Sequence, residues 1–268
     1  MSFQTGLALG FLVVLILLGF GMSVFNIDAN HFDPLQITQP QAPSWKHPFG
    51  TDDLGRDLLL RCMDGARVSL LVAFISMSIS ITLGTFVGAI AAYVGGLLDQ
   101  LLMRLVELFL AIPSIFLILT IQVMLKPSIY NVMIVIGLTS WMGVARLVRA
   151  ELLSIKQRPF ILAAQARQIS HIHILFKHML PHALNPIIVT AMLGMGSAIL
   201  LESVLSFLGL GVQPPHASWG NMLENSLSFM RDAPWMALLP GLLITFTVMS
   251  LNYLGDSLRK LWDPREAD

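Results

Sequence analysis

The stretch "ILAAQARQISHIHILFKHMLP", residues 161–181, carries Arg167, Lys177 and three histidines between apolar runs long enough to cross a bilayer. Ala163, Ala164, Ala166 and Arg167 are strong helix formers. Pro159 stands where a helix start tolerates proline, and Pro181 and Pro186 mark the return to the apolar run. A short helix, a turn and a second helical stretch are therefore expected. Ala163, Ala166 and Ser170, at spacings of three and four, share one side and form a low ridge. Ile169, Ile172, Ile174, Leu175 and Phe176 are free to pack under the rest of the chain or against a partner.

The surroundings define the class. Of 268 residues, 55% are apolar and 12% charged, where a soluble domain carries roughly 25% charged residues. An all-α polytopic membrane protein is expected, in contact with lipid. Net charge is zero, so no electrostatic argument points to nucleic acid. The only cysteine, Cys62, excludes an intramolecular disulfide and reads as a small packing residue.

A spanning helix needs about 20 mostly apolar residues. Six segments meet this: 5–25, 68–94, 100–124, 130–149, 184–211 and 236–258. The first lacks the basic start and small-x-small site of a signal peptide, and reads as a retained helix. Pro113 should kink the third. Residues 1–67 form the first helix and outer loop, and 68–268 a core of five helices with a polar loop at 150–183.

Orientation follows the basic residues. With both termini cytoplasmic, ten lie inside (Arg104, Arg146, Arg149, Lys156, Arg158, Arg167, Lys177, Arg259, Lys260 and Arg265) and six outside. Across 146–183, six basic residues face one acid, Glu151. Ser76, Ser80, Gly84, Gly88 and Ala92 recur every fourth residue, as do Thr190, Gly194 and Ala198, which lets helix backbones approach closely, within this chain or at a seam with another.

The polar loop resembles the "EAA" loop of ABC importer permeases, whose pattern is roughly E-A-A-x-x-x-G, nine residues, I-x-L-P. Ala163, Ala164, Leu180 and Pro181 match and Ala166 fits, while Leu162 replaces the usual glutamate and Gln168 the usual glycine. "HPFGTDDLGRDLLLRCMDGARVSL" (47–70), "SFLGLGVQPPHASWGNML" (206–223) and "LNYLGDSLRKLWDPR" (251–265) resemble segments of the C-type, second permease subunits of dipeptide, oligopeptide and nickel importers. The resemblance implies a type I ABC importer-like transmembrane domain in a bacterial inner membrane. It implies a heterodimer with a second permease, two ATPase subunits and an extracytoplasmic substrate-binding protein. The ATPases would dock on Leu162, Ala163, Ala164, Ala166, Arg167, Gln168 and Ser170, and their closure would drive alternating access. ATP and Mg would be bound by those subunits, with no cofactor in this chain, which has no G-x-x-x-x-G-K-[ST] loop. The substrate would be di- or oligopeptides, or nickel and its chelates.

Other residues have competing readings. Glu202, a costly carboxylate within the fifth span, marks the translocation path or makes a structural hydrogen bond. Met195 on the same span is the other path candidate. Arg104 and Glu107, three apart, should pair with each other. His171, His173, His178 and His182 invite a metal reading, but no cysteine or carboxylate completes a site. "GTDDLGRD" (50–57) suits turn and capping chemistry by Thr51, Asp52 and Asp57, or a calcium site. Trp45, Trp219 and Trp235 flank spans as interfacial anchors. A solitary ion-coupled transporter would want more intramembrane ionisable residues than this, and a metalloprotease would need H-E-x-x-H.

Overall fold

The computed structural model of the chain describes residues 3–25, 27–31 and 39–262. Ten helices carry the fold among these: α1 (Phe3–Val24), α2 (Leu58–Val94), α3 (Gly96–Leu110), α4 (Ser114–Met124), α5 (Ile129–Lys156), α6 (Pro159–Ala166), α7 (His171–Ile174), α8 (Leu180–Phe207), α9 (Trp219–Ser226) and α10 (Trp235–Trp262). α7 continues through a wider π-type turn, Leu175–Met179, into α8. Arg265, counted above with the cytoplasmic basic residues, lies outside the described residues.

Five helices are long and apolar enough to cross a membrane, and α3 with α4 makes a sixth, bent by 81°. The kink expected at Pro113 is thus a full break. Pro113 has no amide to donate and takes up the position before the first turn of α4.

Boundaries moved where side chains at helix ends found partners. α2 begins ten residues before the expected 68 because Asp57 caps it, accepting from the Leu60 amide at 3.1 Å. Its added turns are buried at Leu58, Arg61, Cys62 and Ala66, with Leu58 and Cys62 packed against Ala217, Met222 and Trp235, and Arg61 facing Asp52 of the outer loop. The division expected at residue 67 therefore falls inside a continuous helix. α5 runs on to Lys156, so the polar loop begins as helix.

α2 and α5 are the central pair, and the small residues of α2 explain it. Ser76 Oγ donates to the Met133 carbonyl at 3.0 Å. A Cβ on Gly84 would lie 2.5 Å from Val144 Cβ and 2.7 Å from the Trp141 carbonyl, and Gly88 abuts Ala145 and Val148. The stripe packs within the chain. Residue numbers rise together along this contact, so α2 and α5 are parallel. The chain must cross back between them, and the broken pair α3–α4 does so. At the start of that return Gly95 and Gly96 both take positive φ, 67° and 61°, which glycine adopts without steric cost.

α8 packs antiparallel on both neighbours: Gly194 meets Met77 of α2, and Gly196 faces Val248 and Asn252 of α10. α1 is antiparallel to α10, with Phe11 against Phe246 at 6.2 Å and Thr5 Oγ1 2.6 Å from Ser257 Oγ. The start of α1 and the end of α10 therefore lie on the side where α2 and α5 end.

Candidate functional site

The polar loop folds as expected into helix, turn and helix. α6 begins on Pro159 and its last turn closes on Gln168, whose φ of 58° is the one positive value at a non-glycine residue among those described. The amides of Gln168 and Ile169 return to the carbonyls of Gln165 and Ala164 at 2.9 and 3.3 Å. This is the left-handed cap that glycine usually supplies, and it falls where the resembled pattern has its glycine.

The two faces of the loop are sorted by polarity. Ile161, Ile174 and Met179 are buried with Val148, Leu152 and Ile155 of α5 and Ala89 and Ala92 of α2. Ile169 and Leu175 pack against this cluster, while Ile172 and Phe176 remain exposed. Full burial of a side chain such as Ile161 stabilises by about 1.5–3 kcal/mol, so α6 is keyed into the central helix pair. Outward face Leu162, 53% exposed, with Ala163, Ala166, Arg167, Gln168 and Ser170. Ala164, also in the expected docking set, is half-buried against the cluster.

Polar contacts that sequence spacing did not reveal brace the helix ends beside this loop. Arg149 of α5 binds Asp99 in the first turn of α3 through two parallel hydrogen bonds. Lys156 Nζ lies 3.4 and 3.3 Å from the carbonyls of Ala92 and Tyr93, which end α2. No local motif marks partners 50 and 64 residues apart. The only signals were an acid opening a helix and basic residues closing one.

Glu202 sits at the opposite end of the bundle, fully buried, and accepts from Ser69 Oγ at 2.9 Å and Ser206 Oγ at 2.7 Å. Ser206 in turn accepts from the Val212 amide at 3.0 Å. The carboxylate thus ties α2 to α8 and to the loop after it. Met195 is half-buried against the main core. The structure does not bring Met195 and Glu202 together with the outward face of the polar loop.

The remaining readings divide. Arg104 and Glu107 pair at 3.3 Å. Asp52 accepts from the amides of Leu54 and Arg56 and from Arg56 Nε, at 3.0, 3.0 and 2.7 Å, and Thr51 Oγ1 accepts from the Gln41 amide at 2.8 Å, which is turn chemistry. Burial, then the neighbouring Asp52 charge, pushes the Asp53 carboxyl above its ordinary range. His182 Nδ1 donates to the His178 carbonyl at 2.7 Å. The side chain of His171 lies outside the described residues. Trp219 is not an interfacial anchor: its indole is buried and donates to the Cys62 carbonyl at 3.0 Å, in space left by Gly65. Trp45 is fully exposed and Trp235 half-buried.

A bundle of helices long and apolar enough to cross a membrane, with a short helix keyed beneath it and exposed on its outer face, defines a polytopic membrane protein. Residues 84–268 match the family "Binding-protein-dependent transport system inner membrane component", and the chain belongs to that family. It is 44% identical over 225 residues to the dipeptide transport system permease DppC of Alkalihalophilus pseudofirmus, covering 84% of this chain and 74% of that protein. It is 40% identical over 220 residues to the oligopeptide transport system permease OppC of Haemophilus influenzae, covering 82% and 71%. Among solved structures, a membrane chain of the inward-facing MetNI methionine ABC transporter is similar in fold, with a TM-score of 0.62 at 20% identity, covering 77% of this chain and 96% of that one. The protein is a non-catalytic permease subunit of an ABC importer. Membership implies an ATPase and a substrate-binding protein as partners.

Proposed function

We propose that this chain is one half of a peptide importer's translocation pathway, paired with a second, different permease, and that an ATPase docks on loop 150–183. The observation that carries the reading is the two-faced helix α6. Its outer face offers Leu162, Ala163 and Ala166, continued by Arg167, Gln168 and Ser170 in the turn that follows, and its inner face is packed on α2 and α5. A push on such a helix moves the central pair with it, because packed cores shift as units. Peptides are preferred to nickel chelates because the relatives are named for dipeptides and oligopeptides.

The excess of basic residues across 146–183 supports a cytoplasmic position for this side of the bundle and both described ends of the chain, with the loop 39–57 outside a bacterial inner membrane. Glu202 is assigned a structural role, and Met195 remains the path candidate on α8.

Purification in mild detergent with mass spectrometry of the bound chains tests the assembly. A second permease and ATPase chains are expected. Ala163→Glu and Arg167→Glu should reach the membrane normally yet lose coupled uptake at least tenfold. Normal uptake by both variants would remove the docking assignment.

A further inference from the structure

The helical stretch that carries the polar loop back into the bundle changes pitch as it enters. The Leu180 amide donates to the Leu175 carbonyl, five residues back, so the turn Leu175–Met179 holds one residue more than an α-turn. Pro181 has no amide to offer the Lys177 carbonyl four residues back, so nothing pins the α register at this point.

The extra residue decides which side chains face the bundle. Met179, Ala183 and Ile187, each four apart, are buried in the cluster with α2 and α5, and Ile174 is buried there with them. In an unbroken α-helix Ile174 and Met179 would point about 140° apart, at roughly 100° per residue. The wide turn brings them onto one face.

When the α period of α8 is carried backwards, two other residues take that face. At roughly 100° per residue, Ile172, Phe176, Met179, Ala183 and Ile187 fall within an arc of about 80°, the apolar stripe of an amphipathic helix. Here the wide turn removes both from it: Ile172 and Phe176 are 71% and 65% exposed on this chain, while Ile174 is 1% exposed. Whatever covers Ile172 and Phe176 in an assembly, they do not share the face of Met179. The segment therefore carries two overlapping apolar rows that have Met179, Ala183 and Ile187 in common.

We infer that Leu175–Met179 is a register switch between the polar loop and α8. In the state seen here the turn is wide and Ile174 faces the bundle. In the other the turn closes to α pitch, α7 rotates by one residue, roughly 100°, and Ile172 and Phe176 replace Ile174. Apolar side chains replace apolar ones, so the cluster on α2 and α5 stays covered in both. A packed junction with two discrete arrangements passes motion on as a step. The ATPase that biases it rests on the docking reading above.

The test uses the assembled importer in vesicles, on a Cys62→Ser background. Leu152→Cys on α5 is paired with Ile174→Cys or with Phe176→Cys. Disulfide yield under a mild oxidant is compared without nucleotide and after trapping with ATP and orthovanadate. A change of at least fivefold in each yield, in opposite directions, is expected. Ala163→Cys, crosslinked to the ATPase, reports docking separately. Constant yields in a complex that crosslinks overturn the switch alone, and constant yields without that crosslink overturn both readings. Reciprocal yields without it uphold the switch and remove the ATPase from Ala163. In a second arm, deletion of Lys177 sets Ile174 and Met179 four apart and fixes the present face at α pitch. The deletion should leave folded amount and heat resistance unchanged and reduce dipeptide uptake at least tenfold, while Lys177→Ala stays within twofold. Full uptake by the deletion variant would make the wide turn a passive accommodation of one residue and overturn the switch.

Discussion

The guanidinium of Arg149 grips the carboxylate of Asp99 with two parallel hydrogen bonds, Nε to Oδ1 at 2.5 Å and Nη2 to Oδ2 at 2.6 Å. The pair joins the first turn of α3 to α5 just before Glu151 and the polar loop. Any motion entering through α6 and α5 therefore reaches the start of the broken span.

Geometry more than charge holds that clamp. Lysine at 149 keeps the charge but cannot make the planar fork. Arg149→Lys and Arg149→Gln should therefore cost similar amounts, about 1 kcal/mol for a partly exposed pair. A double-mutant cycle with Asp99→Asn, read by thermal unfolding in detergent, checks this. Full stability with lysine would show the fork to be unnecessary.

Gln168 holds a left-handed backbone that costs an L-residue about 1–2 kcal/mol. Gln168→Gly should raise the melting temperature, whereas the β-branched Gln168→Val should lower it. If glycine destabilises, the side chain has a role that its exposure does not suggest.

Glu202 keeps its partners only while it can hydrogen-bond. Gln at 202 can still bond with the hydroxyls of Ser69 and Ser206, and is expected to retain uptake within about twofold. Leu at 202 strands both hydroxyls at a cost of roughly 1–3 kcal/mol each and should reduce the folded amount. A stable Glu202→Gln protein without uptake would return this carboxylate to the translocation path.

The α2–α5 contact admits no side chain at Gly84, where a Cβ would lie 2.5 Å from Val144 Cβ. Gly84→Ala should destabilise by about 1–3 kcal/mol, the usual cost of overpacking. Gly21→Ala is the control, because nothing lies within 4 Å of the added atom. Equal heat resistance for the two variants would mean that α2 and α5 separate readily.

Much of the polar loop was legible because its determinants are local. Proline at a helix start, alanines at helical spacing and a turn before His171 specify α6 and the second helical stretch with no knowledge of the rest of the fold. Which isoleucines turn inward was not legible. Ile169 and Ile174 pack while Ile172 is exposed, and that choice depends on where α5 and α2 lie. Trp219 misled for the same reason: an aromatic beside a span reads as an anchor until α9 is seen tucked against α2.

By itself the sequence determined the membrane class, the number of crossings and the helical form of each. Apolar length sets what enters lipid, and lipid leaves the backbone no partner but its own chain. It also determined which helix faces were small enough to touch. Only the tertiary structure decided that α2 and α5 run parallel, that the third span breaks by 81° beside Thr139, and that Asp99 meets Arg149 and Ser69 meets Glu202. Those contacts join residues 50 and 133 positions apart. No periodicity encodes them, because such partners are selected by the packing of whole helices and not by neighbours along the chain.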